Sequence, residues 1–207
     1  MSWHLSTQQH TPELRRCCLG IGADLTARGG SLRLGNVLNQ FNGSTATDTQ
    51  LTAKSGKSTH VVVAEGVRLD TRGVWSNLRT NPDDNASLAY LNGGLISIRS
   101  SVDIDVAAGS LLDVSSGGAI LANGKTRGGK GGDVSLESSA ISALGDSHLT
   151  MAGDILGHGV TGGGTLAIQA NRVRIGASAD TLPEHALQLT PELFDNGFSA
   201  YRVTGLN

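Results

Sequence analysis

One pattern limits this chain more than any other. Gly93 to Ser100 reads GGLISIRS, Gly131 to Ser138 reads GGDVSLES and Gly163 to Ala170 reads GGTLAIQA. Each is Gly-Gly, any residue, apolar, small, apolar, then polar and small. Gly29 to Asn36, GGSLRLGN, is a looser copy. Counted from the second glycine (Gly30, Gly94, Gly132, Gly164), the intervals are 64, 38 and 32 residues. A period above ~30 residues is the mark of a repeat architecture and outranks local propensity. Because 64 is twice 32, a further copy lacking its glycines is expected near HVVVAEG, from His60.

Within each unit the period is two. Val102, Ile104 and Val106 alternate with Asp103 and Asp105; Leu112 and Val114 flank Asp113; Val173 and Ile175 flank Arg174; Val67 and Leu69 flank Arg68. Side chains on a strand point to opposite faces in turn, so these are short half-buried strands with their charged members in water. No window of eleven residues carries a helical period. The best, Thr181 to Phe194, is broken by Pro183 and Pro191. Gly at 29 of 207 residues and aromatics at 3% fit many short strands, tight turns and an aliphatic core.

The expected fold is all-β, a right-handed parallel β-helix (solenoid) segment with loop excursions at 39–49, 77–92 and 179–196. A flat β-sandwich also explains the alternation, but not the recurring Gly-Gly unit. With roughly 20 residues per coil, each repeat is expected to span one and a half to two coils, giving seven or eight coils and a rod ~35 Å long at ~4.8 Å per coil. Residues 1–22 read as an unstructured segment outside the repeat, and 23–207 as solenoid, cut short at its C-terminus. The expected core ladder is Ile96, Ile98, Val102, Ile104, Val106, Leu112, Val114, Val134, Leu136, Leu166, Ile168, Val173 and Ile175. The expected turns are Gly93, Gly94, Gly117, Gly118, Gly131, Gly132, Gly163 and Gly164. Gly124 and the run Gly128 to Gly132 are expected to use positive φ.

Net charge is −2 with no long basic or acidic run, which points away from nucleic acid and membrane surfaces. No apolar run is long enough for a transmembrane helix, and no signal peptide is evident. Cys17 and Cys18 are adjacent and read as free thiols, with no Cys/His metal spacing beside them.

The stretch AILANGKTRGGKGGDVSL invites two sharper readings. AILANGKT fits a loose phosphate loop, but RGGKGGDVSL after Lys125-Thr126 cannot start the helix such a loop needs. GGKGGDVSL resembles a calcium nonapeptide but puts Ser135 at the apolar position and occurs once, too little for a six-to-eight-oxygen shell. It reads instead as an exposed corner leading into a strand. Asp103, Asp105 and Asp113 are expected as a solvated strip. The six histidines (His4, His10, His60, His148, His158, His185) are expected unpaired, with His148 and His158 able to approach across coils. Polysaccharide cleavage would need two spaced carboxylates, for which Asp103 and Asp105 are permissive. Trp75 and Tyr90 are the mid-chain candidates for stacking on sugar. No catalytic, cofactor or metal residue is assigned.

Four segments carry a family resemblance: TRGVWSN (71–77), NGGLISIRS (92–100), AAGSLLDVSSGGAILANGKTRGGKGGDVSLES (107–138) and LTPELFDNGFSAYRVTGLN (189–207). They resemble large filamentous-haemagglutinin-like exoproteins of Gram-negative bacteria. The most specific part is Gly109, Ser110, Asp113, Val114, Ser115, Gly117 and Gly118, followed by Gly124, Lys125, Gly128, Gly129, Gly131 and Gly132. The resemblance covers about residues 23–207. It implies a β-helical shaft, two-partner secretion through an outer-membrane transporter, a place outside the cell or on its surface, and adhesion or aggregation through a receptor on a host or neighbouring cell. On this reading the chain is an internal fragment of a secreted adhesin, without catalysis or cofactor. A solenoid polysaccharide enzyme and a non-functional remnant of a disrupted exoprotein gene are the alternatives.

Overall fold

The structure, a computed structural model, describes residues 18–36, 60–76, 92–138, 147–176, 181–182 and 186–206. These are almost all strand and turn, and the strands pair in parallel with a single antiparallel exception. Wall A contains β1 (Cys18–Ile21), β4 (His60–Val63), β8 (Asp103–Val106) and β13 (Leu149–Met151), neighbours in that order. Wall B stacks β2 (Leu25–Thr26), β5 (Arg68–Asp70), β9 (Leu111–Asp113) and β14 (Asp154–Leu156). Wall C stacks β3 (Ser31–Asn36), β7 (Leu95–Ser100), β12 (Asp133–Glu137), β15 (Thr165–Ala170) and β18 (Ala200–Gly205). The chain visits A, B and C in turn and returns to A one strand further along.

Register shows the length of each round. Ser31 pairs with Leu95, Leu95 with Asp133, Val134 with Leu166 and Thr165 with Ala200, so successive rounds take 64, 38, 32 and 35 residues. The Gly-Gly period is therefore one full round, not one and a half to two. The segment HVVV is not a further copy of the Gly-Gly unit, because it is β4 in wall A. Wall C has five strands, so it spans four spacings, ~19 Å.

Alternation places one apolar column after another inside. Leu25, Leu69, Leu112 and Ile155 are in register in wall B; Ile96, Val134 and Leu166, and beside them Ile98, Leu136 and Ile168, line wall C. Val61, Ile104 and Leu149 do the same in wall A. Val106 and Val114 are buried with them. Each fully buried Leu, Ile or Val contributes roughly 1.5–3 kcal/mol. Three ladder positions differ from expectation. Val102 is half-buried in a bend between strands, and Val173 is half-buried against the core. Ile175 is 61% exposed, because β16 (Arg172–Ile175) pairs only with β17 (Ala186–Leu189) and leaves the three walls.

Two boundaries also move. Cys18–Ile21 is a wall strand paired with β4, so regular structure starts before residue 23. The excursion at 179–196 contains β17, whose Leu187 and Leu189 are buried, and a 3-10 turn at Pro191–Asp195. The expected loops at 39–49 and 77–91 lie outside the described residues.

Apart from Gly29, at φ 61°, the paired glycines act by close approach rather than by positive φ. None of the eight expected turn glycines has φ in the left-handed region, and neither do Gly128 and Gly129; Gly124 does, at 76°. Instead Gly30, Gly94, Gly132 and Gly164 stack directly. A Cβ on Gly94 would lie 2.0 Å from the carbonyl oxygen of Gly30, one on Gly132 1.9 Å from that of Gly94, and one on Gly164 2.0 Å from that of Gly132. Gly93, Gly131 and Gly163 also press on backbone: their Cβ atoms would lie 1.8, 2.2 and 1.9 Å from the carbonyl oxygens of Val114, Gly157 and Gly197. The corner between walls B and C is thus backbone packed on backbone.

Candidate functional site

Beside that corner lies a short sheet of its own. β6 (Trp75–Ser76) pairs in parallel with β10 (Gly118–Ile120), and β10 pairs antiparallel with β11 (Thr126–Gly128). The hairpin is the AILANGKT stretch. Leu121 N–H donates to the Lys125 carbonyl, Gly124 N–H to the Leu121 carbonyl, and Lys125 N–H to Asn123 Oδ1 at 3.0 Å. Thr126 therefore opens a strand, where a phosphate loop would open a helix.

Trp75 stands on this sheet, 56% exposed. Gly118 is its partner in register, and a Cβ there would come within 2.8 Å of the indole. Gly128, opposite Gly118, leaves room in the same way for Val160. The two glycines thus seat two apolar side chains that remain exposed, with Val74 and Ile120 exposed nearby.

Trp75 lines two depressions. One, about 370 Å³, is bounded by Arg28, Arg72, Gly73 and Val74. The other, about 320 Å³, is bounded by Ser115, Ser116, His158, Gly159 and Val160. Both volumes fall in the ~300–1,000 Å³ range of small-ligand sites.

The arginines of the first depression are held rigidly. Asp70 and Asp113 are in register on β5 and β9, and both are nearly buried, at 6%. Two stacked carboxylates repel each other, and Arg72 sits between them. It donates from Nε and Nη2 to Asp70 at 3.0 and 2.7 Å, and its Nε lies 3.5 Å from Asp113. Arg28 reaches Asp70 at 3.0 Å. The Arg72 hydrogen bond, outweighing burial, holds the Asp70 carboxyl below the ordinary aspartate range, with further help from the Arg72 backbone and the Arg72 and Arg28 charges. Asp113 Oδ1 accepts from Ser115 N–H at 3.0 Å. The expected solvated strip of Asp103, Asp105 and Asp113 is therefore wrong at Asp113, a nearly buried member of a neutral two-arginine, two-aspartate ladder.

Three further aspartates join successive rounds. Asp24 accepts from Arg68 N–H at 2.9 Å, Asp103 from His148 N–H at 2.7 Å and Asp133 from Thr165 N–H at 2.7 Å. In each case a carboxylate at a strand start caps the in-register backbone donor of the next round. Asp133, the acidic residue of GGKGGDVSL, bridges rounds in this way. Gly109, at φ 74°, and the Ser110 hydroxyl, which donates to the Ala107 carbonyl at 2.6 Å, form the turn before β9.

His60 is paired rather than free: its Nε2 lies 2.8 Å from Asp103 Oδ2, across β4 and β8. His148 precedes wall A and His158 follows wall B, so the two are not neighbours across rounds. His4, His10, His185, Cys17 and Tyr90 lie outside the described residues. Among the described residues, no three His, Cys, Asp or Glu side chains stand together as a metal shell.

Trp75 is legible in the sequence as an aromatic, whereas the arginines beside it are not. Their signal was the recurrence of Asp followed two residues later by Arg or Ser, in DTR (70–72) and DVS (113–115). Comparison with family models, curated proteins and solved structures finds no match for this chain.

Proposed function

We propose that the chain is a shaft segment of a large secreted adhesin of the filamentous-haemagglutinin-like kind, built as a right-handed parallel β-helix, acting in cell-surface adhesion or aggregation without catalysis. The observation that carries this reading is the fixed circuit through walls A, B and C, with the same residues in register round after round. Parallel strands joined by crossovers are right-handed in almost all proteins, which supports the hand. A stack of this kind is stiff along its axis and presents its outward side chains as parallel columns, the geometry a shaft needs. The motif run from Gly109 to Gly132 supports the family reading, because its residues supply a turn, the carboxylate of the arginine ladder and the close backbone approach of stacked rounds. Export through an outer-membrane transporter and a receptor on a facing cell belong to this reading.

Beads coated with the purified chain test it directly. They are expected to bind bacterial or epithelial cells more than albumin-coated beads. Equal binding by the two coatings refutes the adhesive role. Release of reducing ends from a polysaccharide panel refutes the claim of no catalysis.

A further inference from the structure

We infer that the face around Trp75 binds a neutral sugar, the indole stacking on a pyranose ring and the Arg28–Asp70–Arg72–Asp113 ladder with Ser115 hydrogen-bonding its hydroxyls. The inference rests on the adhesive reading above and names the ligand class for it. Three observations carry it. First, an exposed indole seated on a glycine is a flat, rigid apolar platform that costs little side-chain entropy to use. The apolar C–H face of a pyranose matches such a platform, and its equatorial rim of hydroxyls needs donors and acceptors at the edges. Second, those edges are furnished: Arg28 and Arg72 on one side, Ser115, Ser116 and His158 on the other. The Arg72 guanidinium is held by two hydrogen bonds to Asp70, so it is a pre-organised donor, and Arg28 reaches the same carboxylate from a more exposed position. Third, each arginine is matched by an aspartate. The ladder has no net charge with which to attract an acidic glycan or a basic peptide. A neutral polyhydroxylated ligand is the class that uses all three features.

The experiment is isothermal titration of the whole chain with hexasaccharides: cellohexaose, maltohexaose and mannohexaose as neutral probes, heparin hexasaccharide and chitosan hexamer as charged ones. At least one neutral probe is expected to bind saturably, and Trp75→Ala is expected to raise its Kd at least tenfold with an unchanged circular dichroism spectrum. Because Trp75 is exposed, that variant keeps the fold. Arg72→Gln, which removes donors from one edge only, is expected to weaken the same probe with the platform intact. No binding of any neutral probe, preference for a charged one, or unchanged affinity in Trp75→Ala overturns the inference. Bead adhesion by a chain that binds none of the hexasaccharides would remove this inference and leave the shaft reading standing.

Discussion

Gly132→Ala separates two roles for the paired glycines. If Gly132 only supplied flexibility, alanine at its ordinary φ would be harmless, or would stabilise by about 0.4–1 kcal/mol through the unfolded chain. The structure requires the opposite sign. The new Cβ would lie 1.9 Å from the Gly94 carbonyl oxygen and 2.7 Å from the Gly93 carbonyl carbon and the Gly94 nitrogen, where ordinary Cβ contacts are 3.4 Å or longer. All three atoms are backbone, and no side chain can turn away. The two strands must part by about 1.5 Å (3.4 less 1.9) at a stacking distance of ~4.8 Å. That breaks the bond from Asp133 N–H to the Gly94 carbonyl, 3.0 Å, and strains the one from Gly132 N–H to the Val114 carbonyl, 2.7 Å. Each buried group left unsatisfied costs about 1–3 kcal/mol, and overpacking about the same again, so the expected loss is about 3–5 kcal/mol. With a urea m-value of about 2 kcal/mol/M, the midpoint falls by about 2 M. Gly22→Ala is the control: nothing lies within 4 Å of its Cβ and its φ is ordinary, so its midpoint should hold or rise. Equal midpoints for Gly132→Ala and wild type would refute the packing argument.

Other outcomes follow from the same geometry. Ile104→Asp buries a charge at a position 1% exposed and should abolish the cooperative urea transition, whereas Asp105→Ala on the outer face should shift it by less than ~0.5 kcal/mol. Asp103→Ala loses both the His60 pair and the cap on His148 N–H, so a cost of about 1–2 kcal/mol by urea titration is expected. Arg72→Gln leaves Asp70 and Asp113 stacked without their shared cation; with Arg72 a third exposed, about 2 kcal/mol is expected at neutral pH. Because the folded Asp70 carboxyl is held below its unfolded value, its contribution is complete above the ordinary carboxylate range and disappears as pH falls through the depressed folded value. The acid limb of a stability-against-pH curve should therefore be shallower in Arg72→Gln, and an unchanged limb would show that the ladder does not couple folding to protons.

The chain's own letters determined the strand class and the inside and outside of each strand. Val-x-Val and Ile-x-Ile alternation follows from the pleat alone, and it correctly placed Ile96, Ile98, Ile104 and Leu136 in the core. The glycine intervals determined only that a unit recurs, because glycines that touch one another must recur wherever the backbone comes back on itself. Local pattern could not show that each interval is one round, since the number of corners per round depends on how three walls close on one another. Nor could it show that β16 pairs only with β17, outside the three walls, and that Ile175, with the same alternation as Ile104, stands in water. The aspartates depended on tertiary structure most of all. Asp105 and Asp113 look alike in sequence, each between apolar neighbours. Only stacking brings Asp113 beneath Asp70 and Arg72, and only that buried pairing turns a charge expected in solvent into part of the edge beside Trp75.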